Sequence, residues 1–182
     1  MAEIIRRTPM NLILIGFMAT GKSTVGRVLA RGLGFEPVDT DAIIARRAGK
    51  PITGIFEDLG EEGFRGIESE VLQGLLSRER LVISTGGGIV TREENIKDLR
   101  SLGMVIWLNA SVDAIIARVV DNDERPLLQT DDPRKSVEEL LEQRLDMYKE
   151  AADERIDIDN LSCDELAYGI AESARVWFAE SN

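Results

Sequence analysis

Asn11-Leu-Ile-Leu-Ile15-Gly16-Phe-Met-Ala-Thr-Gly21-Lys22-Ser23 is the stretch on which the fold turns. Its first five residues read as a buried strand. The next eight satisfy G-x-x-x-x-G-K-[ST] in full, the Walker A pattern of a phosphate-binding loop. A helix is expected from Lys22, with Val25, Val28 and Leu29 on one face and Gly34 as its stop. The glycines let successive N–H groups converge on phosphate oxygens, and the helix N-terminus adds its positive dipole. Lys22 is then a point charge for β- and γ-phosphates, and the Ser23 hydroxyl is placed to ligate Mg²⁺. A glycine-containing turn that merely ends in Lys-Ser is the plainer reading. An apolar strand before it and an amphipathic helix after it argue for nucleotide.

Outward from this loop, short apolar runs alternate with stretches of helical periodicity, as in βα units around a parallel sheet. A second strand is expected around Phe35–Val38, and others at Leu81–Ser84, Met104–Leu108 and Arg155–Ile158. Val112, Ile115, Ile116 and Val119 repeat at helical spacing, as do Leu140, Leu141, Leu145 and Tyr148. A last helix is expected from about Asp164 to Phe178. Two regions break the rhythm. Residues 41–78 are helical with no strand between, and 121–133 are polar with Pro126 and Pro133, as in a surface loop.

The 182 residues fit one domain, and 43% hydrophobic with 30% charged residues is a soluble globular composition. A net charge of -11 argues against a nucleic-acid partner, while leaving room for a local basic cluster that binds a small anion. The chain has no His, so acid–base chemistry falls to carboxylates or lysine. Cys163 is the single cysteine, which excludes an internal disulfide and suits a reducing cytoplasm. Arg6-Arg7 before the apolar run imitates a twin-arginine export signal, but cleavage near Ala19 would destroy the phosphate loop. No stretch approaches the length needed to cross a bilayer, so a membrane role is not expected.

Three further motifs carry chemistry. Asp39-Thr-Asp41 follows the second strand, where one acid can face a metal and the other an acceptor; either can instead cap the next helix. Gly60-Glu-Glu-Gly-Phe64-Arg65-Gly-Ile-Glu68 opens a helix with Phe64, Ile67, Val71 and Leu75 on its apolar face. Glu61, Arg65 and Glu68 would, taken alone, be an exposed ladder of ion pairs. Ser84-Thr-Gly86-Gly87-Gly88 ends a β-branched strand, where glycines allow a ligand close to the backbone. Arg125-Pro-Leu-Leu lies in the polar loop, and Arg144 lies four residues before Tyr148.

Together, and in this order from about Asn11 to Asp159, these motifs resemble shikimate kinase, a branch of the nucleoside monophosphate kinase-like P-loop fold. The resemblance implies a three-layer α/β/α arrangement with a mostly or wholly parallel five-stranded central sheet. It also implies a helical substrate-binding insertion at about 41–78 and a lid loop at about 121–133. The implied reaction is ATP-dependent phosphorylation of the 3-hydroxyl of shikimate, a step of chorismate and aromatic amino-acid biosynthesis. Ala19, Thr20, Gly21, Lys22, Ser23 and Thr24 would bind nucleotide, with Ser23 and, through water, Asp39 on Mg²⁺. Asp41 resembles the residue that holds the acceptor hydroxyl, as its base or its orienting group. Arg65 and Arg144 look like the pair on the shikimate carboxylate, with Glu68 orienting Arg65. Gly86, Gly87 and Gly88 would line the acceptor pocket and Phe56 and Phe64 its apolar wall. Arg125 matches a lid arginine that reaches the transferring phosphate, and Arg118 occupies the position that stacks on adenine. The catalytic set so implied is Asp41, Lys22 and Arg125.

Three departures from the family pattern stand out: Ala19 where many relatives have glycine, Asp146 where proline is common, and a hard-to-align stretch at Asp159-Asn160-Leu161. A gluconate kinase of the same fold would also meet a carboxylate and hydroxyls, but Phe64-Arg65…Glu68 and the triple glycine favour shikimate. A catalytically silent relative would be expected to have lost Lys22, Asp41 or Arg125, and all three are present. A cytoplasmic monomer with a small-molecule substrate is expected.

Overall fold

The computed structural model describes residues 10–119 and 132–180. Strand β1 (Leu12–Ile15) leads through the phosphate loop into helix α1 (Lys22–Leu33), which Gly34 ends in a left-handed conformation. Then follow β2 (Glu36–Asp39), α2 (Thr40–Ala48), α3 (Ile52–Gln73) and β3 (Leu81–Ser84). A 3₁₀ turn (Ile89–Thr91) precedes α4 (Glu93–Leu102), β4 (Met104–Asn109) and α5 (Val112–Val119). After the gap come α6 (Pro133–Ala151), β5 (Glu154–Asp157) and α7 (Cys163–Glu180).

The five strands pair in the order β2-β3-β1-β4-β5, and every pairing is parallel. Because side chains alternate across a strand, the three central strands each feed two cores. Leu12 and Leu14 of β1, with Met104, Ile106 and Leu108 of β4, join α1, α5 and α7 on one face. Ile13 and Ile15, with Val105 and Trp107, join α3, α4 and α6 on the other. The layers are therefore α/β/α, and β1 is buried on both faces, which explains its unbroken apolar run. A third cluster of Ile44, Ile55, Phe64 and Val71 holds α2 against α3.

The expected strands are all present, shifted by a residue or so. Asn11 lies just before β1, where its side chain donates to Arg78 and Leu102 carbonyls and accepts from the Leu81 N–H. Residues 41–78 do hold helices and no strand, and Gly60 interrupts α3 at φ 67°, a left-handed value that suits glycine. Helix α4 goes beyond the sequence expectation. Arg125 and nearly all of the 121–133 loop lie outside the described residues. Among the described residues no helix is long and apolar enough to cross a membrane.

Candidate active site

At the carboxyl end of the sheet a cleft of about 860 Å³ opens beside the phosphate loop, the edge where open parallel sheets hold ligands. Every residue given a binding or catalytic role in the sequence lines it except Thr20, which is buried in the loop, and Arg125, which is outside the described residues.

The phosphate-loop end is built from one turn of chain. Gly21 takes a left-handed conformation (φ 82°), so α1 starts at the cleft with Gly21, Ser23 and Thr24 on its wall. The first amides of a helix have no partner inside it, which suits them to an anion. Lys22 is folded back onto the loop: its Nζ donates to the Gly16 and Phe17 carbonyls, both at 2.7 Å. Thr20 Oγ1 also donates to the Phe17 carbonyl, at 2.9 Å. Ala19 holds a left-handed φ of 61°, a conformation costly for a residue with a Cβ. Arg118 reaches across from α5 and donates to the Ala19 carbonyl at 3.3 Å.

Asp39 does two jobs with its two oxygens. Oδ1 accepts the Ala42 N–H at 3.1 Å and so caps α2, while Oδ2 accepts from Ser23 Oγ at 2.6 Å. Among the described residues no three acidic or cysteine side chains converge on a metal site. The Ser23–Asp39 pair at the mouth of the phosphate loop is an all-oxygen set. It fits Mg²⁺, which takes few protein ligands and completes its shell with phosphates and water.

The opposite end is assembled from distant segments. Arg65 and Glu68 sit one turn apart on α3, and the Arg65 guanidinium donates to Glu68 Oε2 at 2.5 Å and to Glu61 Oε1 at 3.0 Å. These are not an exposed ladder: Arg65 is 5% exposed and Glu68 0%, and only Glu61 meets solvent. The reason is that this turn of α3 faces the glycine turn rather than water. A Cβ on Gly88 would overlap the Arg65 guanidinium, and one on Gly86 would lie 2.5 Å from Glu68 Oε1 and 2.9 Å from Asp41 Oδ1. The glycines thus let two carboxylates and a guanidinium close around the main chain. Desolvation pushes Glu68 up to about 6 against the opposing charge of Arg65. Burial also works against the charge on Arg65, but Glu68 and Glu61 outweigh it and hold that guanidinium above its ordinary value.

Arg144 enters from α6, buried, donating to the Gly87 carbonyl at 3.4 Å with its guanidinium over the Phe17 ring. Phe56 and Phe64 stack at 4.4 Å between centroids, and Arg65 lies over Phe64. Arg65 Nε and Glu68 Oε1 are buried with no hydrogen-bond partner among the described residues. A buried guanidinium N–H in that state calls for an acceptor from outside the chain. The sequence reading missed Met18, Pro51, Ile52, Thr53 and Thr85, which also line the cleft. Pro51 stands at the N-cap of α3, and nothing in its sequence neighbourhood shows that this helix start faces the cleft.

The sequence profile of one family, shikimate kinase, matches residues 18–175. The chain belongs to the shikimate kinase family. A shikimate kinase of Thermodesulfovibrio yellowstonii is 43% identical over 157 residues, covering 86% of this chain and 90% of that one. The solved shikimate kinase from Acinetobacter baumannii, in complex with shikimate, is similar with a TM-score of 0.89 at 39% identity, covering 93% of this chain and 95% of that one. A gluconokinase from Sinorhizobium meliloti is similar with a TM-score of 0.55 at 18% identity, over 96% of this chain and 94% of that one, which is a likeness of fold alone. Membership of the shikimate kinase family makes the chain an ATP-using kinase.

Proposed function

We propose that this protein transfers the γ-phosphoryl group of ATP to the 3-hydroxyl of shikimate, and that residues 41–78 form the acceptor-binding arm of a single domain. The observation that carries this reading is one cleft with a phosphate loop at one end and two buried arginines at the other. A planar carboxylate wants guanidinium forks, which Arg65 and Arg144 supply. Glu68 holds the Arg65 fork, Phe56 and Phe64 cover the apolar side of the ring, and Gly86, Gly87 and Gly88 let that ring approach the main chain.

Lys22 has to exchange the Gly16 and Phe17 carbonyls for phosphate oxygens. That switch favours a highly charged guest over water or a weak anion. Ala19, Thr20, Gly21 and Thr24 bear on the phosphates and Arg118 on the base. Ser23 and, through water, Asp39 would hold Mg²⁺, which when bound neutralises charge on the β- and γ-phosphates. Asp41, beside Gly86, holds the acceptor hydroxyl as its base or its orienting group. That oxygen forms the new bond to phosphorus as the bond to the ADP oxygen breaks. Most of the catalysis is then positioning and charge neutralisation.

An acceptor screen tests the reading. Purified protein with Mg-ATP should release ADP with shikimate and not with gluconate. Turnover with gluconate alone would reverse the assignment.

A further inference from the structure

Tyr148 lies on α6 one turn beyond Arg144, fully buried, its ring stacked on Trp107 of β4 at 5.5 Å between centroids. Its hydroxyl donates to the Gly87 carbonyl at 2.5 Å, the same oxygen that receives Arg144 at 3.4 Å. Burial raises the phenol to about 12, so it stays a donor throughout the working pH range.

Among the described residues the Gly87–Gly88 peptide of the glycine turn has no main-chain hydrogen bond. The Gly86 carbonyl accepts the Ile89 N–H at 3.2 Å, the Gly88 carbonyl accepts Thr91 N–H at 3.0 Å, and the Gly86 N–H reaches Thr40 Oγ1 at 3.3 Å. The Gly87 carbonyl is held by side chains of α6 instead. With glycine on both sides, sterics do little to fix that peptide plane. Its orientation matters for charge. The peptide is trans, so its carbonyl and its N–H point opposite ways. While the carbonyl faces buried Tyr148, the Gly88 N–H faces away from it, and among the described residues that N–H donates to nothing. A flipped peptide would take the carbonyl from Tyr148 and Arg144 and put its oxygen where the Gly88 N–H now points, on the stretch of turn that lines the cleft against the Arg65 guanidinium.

We infer that Tyr148 is a positioning residue for the acceptor: its hydroxyl locks the Gly87–Gly88 peptide with the N–H, not the carbonyl, presented to the substrate. This deepens the proposed function and rests on it. Arg144 cannot substitute, because its contact is the longer one and the acceptor carboxylate competes for its guanidinium.

Tyr148→Phe removes the hydroxyl and keeps the ring on Trp107. With shikimate as acceptor, its KM should rise about tenfold, the loss of one neutral hydrogen bond, while kcat and the KM for ATP stay within about twofold. An unchanged acceptor KM, or equal rises in both KM values, would overturn the inference. A wild type inactive on shikimate would instead sink the function reading. A second arm needs no substitution. The chain has only two tyrosines, Tyr148 and the exposed Tyr168, so 3-fluorotyrosine labelling gives two ¹⁹F signals. Shikimate alone should shift the Tyr148 signal and leave that of Tyr168 in place. If Tyr148→Phe does not fold, this arm decides, and a static Tyr148 signal with saturating shikimate counts against the inference.

Discussion

In the proposed function, residues 16–24 and the Arg65–Arg144 end of the cleft would meet anions by opposite means. The first is continuous chain, a loop and the start of α1, in which main-chain amides, and Lys22 once it leaves the Gly16 and Phe17 carbonyls, would meet the guest. The second draws Asp41 from α2, Arg65 and Glu68 from α3, three glycines from the turn after β3, and Arg144 from α6. Triphosphates look alike in every nucleotide, so amides fixed by local conformation suffice for them. A particular hydroxy acid has to be told from its relatives, which takes side chains placed by the whole fold. The nucleotide end is therefore robust and local, while the acceptor end is exposed to any change in packing.

Substitutions should separate the two ends. The largest effect is expected for Asp41→Asn: kcat falling by roughly 10²–10⁴ with the KM for ATP nearly unchanged, read by steady-state kinetics. A small fall would remove Asp41 from the reacting groups. Arg65→Lys comes next. It keeps a positive charge beside Glu68 but loses the planar fork, so the KM for shikimate should rise by about 10- to 100-fold. An equal rise in the KM for ATP would show that the two ends are not separable.

The third test uses pH. Burial holds Glu68 at about 6, above its ordinary 4.5. Between those values the folded protein binds more protons than the unfolded chain, so this group's contribution to stability falls as pH rises through that window. The full span is about 2 kcal/mol. Thermal melts at pH 4.5 and 7 should therefore show Glu68→Gln gaining on the parent at the higher pH, by about 4–8 °C in Tm. Parallel shifts would mean that Glu68 is not held this way.

The smallest effect belongs to the nucleotide end. Ala19→Gly relieves a left-handed alanine at φ 61° and should stabilise by somewhat under about 1 kcal/mol, since glycine loses more entropy on folding. A lower Tm would show that the loop tolerates Ala19 without strain.

These differences also set what could be read from the chain alone. The run from Asn11 to Ser23 was legible because strand, loop and helix start are each written in adjacent residues. Helix α4 was not, since Ile96, Leu99 and Leu102 make only a thin apolar stripe in a polar ten-residue segment. Spacing of Glu61, Arg65 and Glu68 is the same for an exposed ladder and for a buried ion pair. What decides is the glycine turn packed against them, some twenty residues further on. Asp39 looked like a choice between cap and metal group, and its two carboxylate oxygens serve Ala42 and Ser23 separately. Tyr148 showed only its place in an apolar stripe, because its hydroxyl finds a carbonyl 61 residues away in sequence.

The most direct test of a cleft that joins a phosphate donor to an acidic acceptor is the product itself. With the protein, Mg-ATP and shikimate, ³¹P spectroscopy should reveal ADP and a phosphate monoester coupled to the ring proton at carbon 3. ADP accompanied only by inorganic phosphate would contradict transfer to the acceptor, and no ADP at all would contradict the kinase.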